Sequence, residues 1–459
     1  MASSPQRITA ILGTAYHAPS RCRIEVLEGA LIEVGPDGCV TRVTADGVPE
    51  HASRVKAAAQ AGQLIRLEPT QVLIPGLVDL HVHAPQFPQL GKNLHLPLED
   101  WLQRCTFPLE ARYADLAFAE VVYRQLVRTL LANGTTTAVY FATVHLPASV
   151  ALARICLESG QRAYVGRVAM DNPEQCPEFY RDRSAADGLA LTRDHIAEVR
   201  ALPGNDIRVQ PVVTPRFIPS CTDAMLEGLG RMAADTGTLV QTHCSESDWQ
   251  HGYVLDRCGR SDTEALAGFG LVERHTVLAH ANFVTQSDMT TIERQGAGIA
   301  HCPLSNIYFS NAVFPLRRAI DRGLHVGLGT DISGGHSPSI LDNCRQAIAA
   351  SRNLEEGVDA ALPPDVRRRP GTRIDFREAF WLATRGGAEV LGLDAGVFKP
   401  GAAFDAVLVD LVAPGSNVSA FEEIDSHEDV LEKIVSTATR ANVACVWVGG
   451  RRVSGPMDV

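Results

Sequence analysis

A chain of 459 residues with 45% hydrophobic and 21% charged side chains has the composition of a globular protein too large for one simple core. A formal net charge of −11, with no long cluster of Lys and Arg, speaks against nucleic acid or another polyanion as partner. No apolar run approaches the roughly 18 residues of a membrane-spanning helix, so no membrane partner is expected.

In chain order, residues 1–19 carry no charged stretch feeding a long apolar one, and no secretory signal is expected. From Ile8 to about Thr70, short β-like pieces are broken by Gly35-Pro-Asp-Gly38 and by an Ala/Gln-rich stretch around 57–63. Apolar strand-like runs then recur at 72–83, 135–142, 162–170, 207–216, 238–246, 275–282, 296–303 and 325–332. The segments between them are mostly long enough for helices. One of these, Asp115 to Asn133, opens on a capping residue, runs apolar at helical spacing and stops before Gly134.

Continuously apolar strands alternating with helices predict a parallel sheet covered on both faces, and eight of them predict an α/β fold of the (β/α)8 TIM-barrel type over 72–394. A doubly wound sheet is the alternative, but no Gly-x-Gly-x-x-Gly follows a strand here. Near the C-terminus, Phe404 to Asp410 and Ala444 to Gly449 again read as strands. Strands at both ends flanking a central body predict one small β-sandwich domain assembled from 1–71 and 395–459. The eleven cysteines form no C-x-x-C pair and no disulfide spacing, which suits a reducing cytoplasm. Arg367-Arg-Arg369, flanked by a proline, reads as a solvated loop.

Function in a barrel sits at the carboxyl ends of the strands. Reading only those ends collects His81 and His83, Thr143 and His145, Arg216 and Phe217, His243 and Glu246, His280, His301 and Asp331. Residues two apart in a strand point the same way, so His81 and His83 present two imidazoles together. With His243 and Asp331 they make three imidazoles and a carboxylate, a donor set for Zn2+ or Fe2+ with room for a water. Glu246 lies three residues beyond His243, an offset that faces it away from the pocket unless the strand ends and turns there. His145 and His301 serve equally well as rim residues bonded to backbone or as substrate contacts.

Pro75-Gly-Leu-Val-Asp-Leu-His-Val-His83, Thr242-His-Cys-Ser-Glu246, Leu278-Ala-His-Ala281, Gly327-Leu-Gly-Thr-Asp-Ile-Ser-Gly-Gly335 and Lys399-Pro-Gly-Ala-Ala-Phe-Asp405 resemble the amidohydrolase superfamily over essentially the whole chain. Within it, His83-Ala-Pro-Gln86, Trp101-Leu-Gln-Arg-Cys-Thr-Phe-Pro108, Asn133-Gly-Thr-Thr-Thr137 and Thr214-Pro-Arg-Phe217 are similar to the guanine deaminases, which hydrolyse guanine to xanthine and ammonia.

The resemblance implies a zinc-dependent aminohydrolase with guanine as its small-molecule substrate, acting in purine catabolism or salvage and pairing into a homodimer. No lysine occurs between Lys92 and Lys399, so the carboxylated lysine that bridges two ions in other superfamily members is absent and one ion is expected. Such an ion lowers the pKa of its water from 15.7 toward about 7. Asp331 would both ligate the metal and take the water's proton, His280 would orient the water, and Glu246 would carry protons to the ring and the departing amine. Gln86 and Arg216 would contact the base, the arginine fork suiting the O6/N7 edge, with Phe217 as a wall. Trp101 and Phe107 are expected to pack the loop over the pocket. The stretches after Glu246 and from Leu304 to Phe309 depart from the pattern. The same machinery would serve deamination or dechlorination of another heterocycle; a non-catalytic scaffold would be expected to lack some of the ligands.

Overall fold

Why does one apolar run, 72–83, serve two layers of the molecule? The computed structural model describes residues 8–310 and 312–455; the parts of the expected β domain at 1–7 and 456–459 lie outside the described residues. The run is two strands rather than one. Gln71–Pro75 pairs antiparallel with Ala406–Asp410 and parallel with Ala10–Ser20, whereas Leu77–His83 opens the barrel. Between them Gly76 donates its N–H to the Asp405 carbonyl at 2.8 Å. A Cβ on Gly76 would stand 2.1 Å from Thr136 Oγ1, so the chain changes layers where only glycine fits.

The terminal strands form one continuous set of eight. It runs from Arg451–Ser454 through Val443–Val448, Ala406–Asp410, Gln71–Pro75, Ala10–Ser20 and Arg23–Val34 to Val40–Thr44, with Leu64–Arg66 beside Ala10–Ser20. The sheet folds over a shared core in which Ile11, Ile32 and Val40 meet Leu408, Cys445 and Trp447. A backbone bridge between Cys39 and Ala403 ties the two limbs. The two layers of the sandwich are thus two halves of a single sheet. The Ala/Gln-rich stretch, read as a break, closes a helix, His51–Gln60, as befits the strongest helix former.

The TIM barrel follows the expected order: Leu77–His83, Thr135–Phe141, Arg162–Gly166, Val209–Pro211, Gln241–Cys244, Val277–His280, Gly298–His301 and His325–Leu328. Neighbours pair in parallel. The fourth strand reaches the fifth through a bridge between Val213 and Val240. The ring closes where Asp331 N–H donates to the His81 carbonyl at 2.8 Å and His83 N–H to the Ile332 carbonyl at 2.9 Å.

Two runs expected as single strands are interrupted, continuing as Val168–Ala169 and Thr214–Pro215. Arg167 sits at the first break, fully buried against Asp182, and Pro211 and Pro215 offer the second run no N–H to pair. The helix expected from Asp115 forms at Leu116–Ala132, with the Asp115 carboxylate accepting from the N–H of Ala117 and Phe118. Among the described residues, no helix is long and apolar enough to cross a membrane.

Candidate active site

The barrel strands deliver His81, His83, His243, His280 and Asp331 to one point. Strand alternation puts His81 and His83 side by side, their rings 4.9 Å apart. His243 comes from the end of Gln241–Cys244; its Nδ1–H donates to the Arg216 carbonyl at 2.6 Å, which turns the Nε2 lone pair inward. That nitrogen stands 2.9 Å from His83 Nε2. Asp331 Oδ1 lies 3.2 Å from His81 Nε2 and 3.6 Å from His83 Nε2.

Glu246 does enter the pocket. The fifth strand stops at Cys244, and Ser245 takes a left-handed φ of +46°, reversing the direction that extended backbone would impose. Glu246 Oε1 then lies 3.6 Å from His280 Nε2, and Asp331 Oδ2 lies 3.8 Å from the same nitrogen. His280 therefore sits between two carboxylates.

These groups are deeply buried, and burial sets their protonation. It pushes His81, His83 and His243 well below the ordinary histidine range, with neighbouring imidazoles adding to the push, and it lowers His280 as well. Neutral imidazoles are the form that ligates metal. Burial raises Glu246 well above the ordinary carboxylate range, the Asp331 charge reinforcing it, and raises Asp331 against the opposing pull of His280.

The donor set can be tested against a bound ion. His81 Nε2 and His280 Nε2 are buried with no hydrogen-bond partner among the described residues. Ligand atoms of His81, His83 and His243 lie within 4.8 Å of one another, as do those of His81, His280 and Asp331. Zinc–imidazole bonds of about 2.0–2.1 Å in a tetrahedral site place two donors about 3.3–3.4 Å apart. The separations of His83 from His243, His81 from Asp331 and His83 from Asp331, at 2.9, 3.2 and 3.6 Å, bracket that value. A divalent metal fits.

Beside this cluster is a small cavity. Gln86, Arg216, Phe217 and Glu246 line it, and Leu98, Trp101 and Phe309 cover it, the Trp101 and Phe309 rings 4.9 Å apart. Phe217 stands between His243 and Trp249, its ring 6.1 and 5.9 Å from theirs. Phe107 lies beneath the Arg216 guanidinium at 5.1 Å. His145 is away from this cavity, lining another with Phe179 and Arg181. His301 is buried against Phe314, their rings 5.2 Å apart.

Three supporting residues escaped the reading of strand ends. Glu110, on the short helix Phe107–Ala111, accepts from Arg216 Nη1 at 2.7 Å and Nη2 at 3.2 Å, and from Gln86 Nε2 at 2.9 Å. Asn306 Oδ1 accepts from His280 Nδ1 at 3.0 Å; its own amide donates to Asn282 Oδ1, whose amide donates to the Glu246 carbonyl. Asp79 accepts from the N–H of His81 and from both N–H and hydroxyl of Thr330. Glu110 lies two residues beyond the Thr-Phe-Pro motif, and Asp79 precedes the first histidine by two. Their positions were visible, but their partners come from remote strands.

A TIM barrel with three histidines and an aspartate at its strand ends, and a carboxylate at hand for proton transfer, defines a metal-dependent hydrolase. The amidohydrolase family profile matches residues 72–453. This chain belongs to the amidohydrolase family. It is 37% identical to a probable guanine deaminase of Schizosaccharomyces pombe across 97% of this chain and 83% of that protein. It is 34% identical to the guanine deaminase of Homo sapiens across 96% of this chain and 95% of that one. The crystal structure of guanine deaminase from C. acetobutylicum with bound guanine superposes with a TM-score of 0.86 at 27% identity, covering 97% of this chain and 99% of that chain.

Proposed function

We propose that this protein is a guanine deaminase that hydrolyses guanine to xanthine and ammonia. The observation that carries the reading is the meeting of His81, His83, His243 and Asp331 beside Glu246 and His280, at one side of a cavity lined by Gln86, Arg216 and Phe217. His81, His83, His243 and Asp331 would hold one zinc ion. Bound there, the ion supplies the Lewis acidity that makes water nucleophilic at neutral pH.

The chain's own groups do the rest. His280, with Nδ1–H committed to Asn306, offers its Nε2 lone pair to a hydrogen of the attacking water and so orients it. As the water oxygen bonds to C2 of guanine, its proton passes to Asp331. Glu246, protonated in its buried setting, gives its proton to the adjacent ring nitrogen. A second proton, relayed from Asp331 through His280 and Glu246, reaches the amino nitrogen. The C2–N bond then breaks with ammonia rather than amide anion leaving, and the remaining hydroxyl proton passes to Glu246, which yields xanthine and restores the acid. Gln86 and Arg216 orient the purine through its polar edge, and Phe217 walls one face.

The reading also includes a homodimer and residence in a reducing cytoplasm. All eleven cysteines are free, which supports the latter. The chain is taken to divide into a β domain of 1–71 and 395–459 and a barrel of 72–394; the layer change at Gly76 supports two such units, with Gln71–Pro75 on the β-domain side of the first boundary. Ammonia release from guanine, adenine, cytosine and a triazine tests the substrate. Release from guanine alone is expected, and inertness toward guanine overturns the reading. Elemental analysis of freshly purified protein separates zinc from iron.

A further inference from the structure

The Arg216 fork is not free. An arginine in a substrate pocket presents five N–H donors in a fixed plane. Here one donor on each terminal nitrogen goes to the two oxygens of Glu110, at 2.7 and 3.2 Å. The same carboxylate accepts from Gln86 Nε2 at 2.9 Å, and Gln86 Oε1 accepts from the Ser333 N–H at 3.2 Å. Glu110 and Gln86 are fully buried and Arg216 nearly so. A buried carboxylate with three charge-assisted or amide donors is a rigid hub.

We infer that Glu110 is a positioning and specificity-determining residue: it clamps Gln86 and Arg216 in one plane at the purine edge and cancels the arginine's charge. This rests on the guanine reading above. The geometry has two consequences. First, Gln86 cannot flip its amide without losing both its bond to Glu110 and the one from the Ser333 N–H, so its remaining N–H and oxygen lone pair face the cavity in a fixed sense. Second, the Arg216–Glu110 pair carries no net charge, so the donors left on Arg216 bind a neutral carbonyl without offering the cavity an uncompensated cation. A site so built accepts an uncharged purine and discriminates against anionic ones. An arginine alone would favour the anion.

Two variants separate the clamp from the charge. Glu110→Gln keeps the shape, leaves Arg216 uncompensated and replaces one acceptor with a donor. It is expected to raise KM for guanine by about tenfold or more, the scale of a lost charge-assisted hydrogen bond, with kcat much less affected. It is also expected to tighten inhibition by urate, an anionic purine, by at least about tenfold. Glu110→Asp keeps the charge but draws the carboxylate back by one methylene. It is expected to raise KM similarly while leaving urate inhibition as in the parent.

Metal content, measured alongside, should match the parent in both variants. A merely structural role would lower the melting temperature without moving KM or the guanine-to-urate preference. Unchanged KM in either variant at full metal content overturns the clamp. Unchanged urate inhibition in Glu110→Gln overturns the charge argument. If Glu110→Gln does not fold, KM in Glu110→Asp decides the clamp, and Glu110→Ala, which also leaves Arg216 uncompensated, decides the charge: its urate inhibition should be at least about tenfold tighter than the parent's, and unchanged inhibition overturns the charge argument. The parent's own ammonia release keeps the two readings apart. An inert parent defeats the substrate assignment, whereas an active parent with indifferent Glu110 variants defeats only this inference.

Discussion

Glu246→Gln removes a proton carrier and little else. The side chain is buried, its Oε1 is 3.6 Å from His280 Nε2, and a glutamine amide can occupy the same volume and accept the same hydrogen bonds. It cannot hand over a proton. General acid–base transfer is worth about 10²- to 10⁴-fold, or about 2.7–5.4 kcal/mol of barrier. The upper half of that range applies because no other carboxyl can substitute: Asp331 is on the far side of His280, and Glu110 is spent on Arg216 and Gln86. A fall in kcat of about 10³-fold or more is therefore expected in a steady-state ammonia assay, with KM within a few-fold of the parent and metal content unchanged. Burial also disfavours the ionised form of Glu246 in the fold. At neutral pH the wild-type carboxyl thus costs stability that glutamine does not, and metal-free Glu246→Gln should melt no lower than metal-free parent. A loss of kcat below tenfold at full metal occupancy would refute the assignment of proton transfer to this residue.

Removal of metal by a chelator should abolish ammonia release and lower the melting temperature, and added Zn2+ should restore both. Binding to the folded state at a hundredfold excess over Kd adds about 2.7 kcal/mol, so an unmoved calorimetric midpoint would contradict a site at these residues. Asn306→Ala frees His280 Nδ1 to change tautomer. Activity should drop about 10- to 100-fold, as for other residues that orient a site histidine, while circular dichroism and bound metal stay as in the parent. His195, remote from this chemistry, is pushed down to about 4 by burial, with its Nε2 bonded to the Val165 carbonyl at 2.9 Å. Its neutral form suits the fold, so the associated stability is complete above pH 6.5 and is lost as pH falls toward 4, by at most about 3 kcal/mol. His195→Gln should flatten the acid limb of urea-unfolding free energy between those values; parallel limbs would disprove the attribution.

What was legible in the chain was whatever follows from local periodicity. Alternation placed His81 and His83 on one side, and apolar runs ending in His243, His280 and Asp331 identified strand ends, so the residues that converge could be found without knowing the fold in detail. Contacts between distant segments left no such mark. Glu110 lies on a five-residue helix whose burial depends on Arg216, over a hundred positions away, and Asn306 occupies a π-helical turn, Asn306–Ser310, with no apolar rhythm of its own. The split at Gly76 was hidden for a different reason. Both halves of 72–83 are buried, so hydrophobicity does not change where the chain leaves one layer for another.

The backbone at the site is held against its own preferences, which explains why so much hydrogen bonding surrounds so few reacting atoms. Ser245, His280 and Asp331 all adopt left-handed φ values, +46°, +71° and +48°, that L-residues avoid. Each such conformation costs of order 1 kcal/mol or more and persists only where neighbours over-determine it. At Asp331 the constraint is visible: its N–H is tied to the His81 carbonyl, and Asp79 grips both the His81 N–H and the preceding Thr330. Asp79 is itself raised to about 7 by burial, a cost the fold tolerates because this carboxyl joins the first barrel strand to the chain just beyond the eighth. At Ser245 and His280 the corresponding restraint is the chain from the Glu246 carbonyl through Asn282 and Asn306 to the imidazole. The two nets meet through the imidazoles and carboxylates between them. The strain aims Glu246, His280 and Asp331 at a common point that relaxed strand ends would miss, and loosening either net should degrade proton transfer before it degrades the barrel.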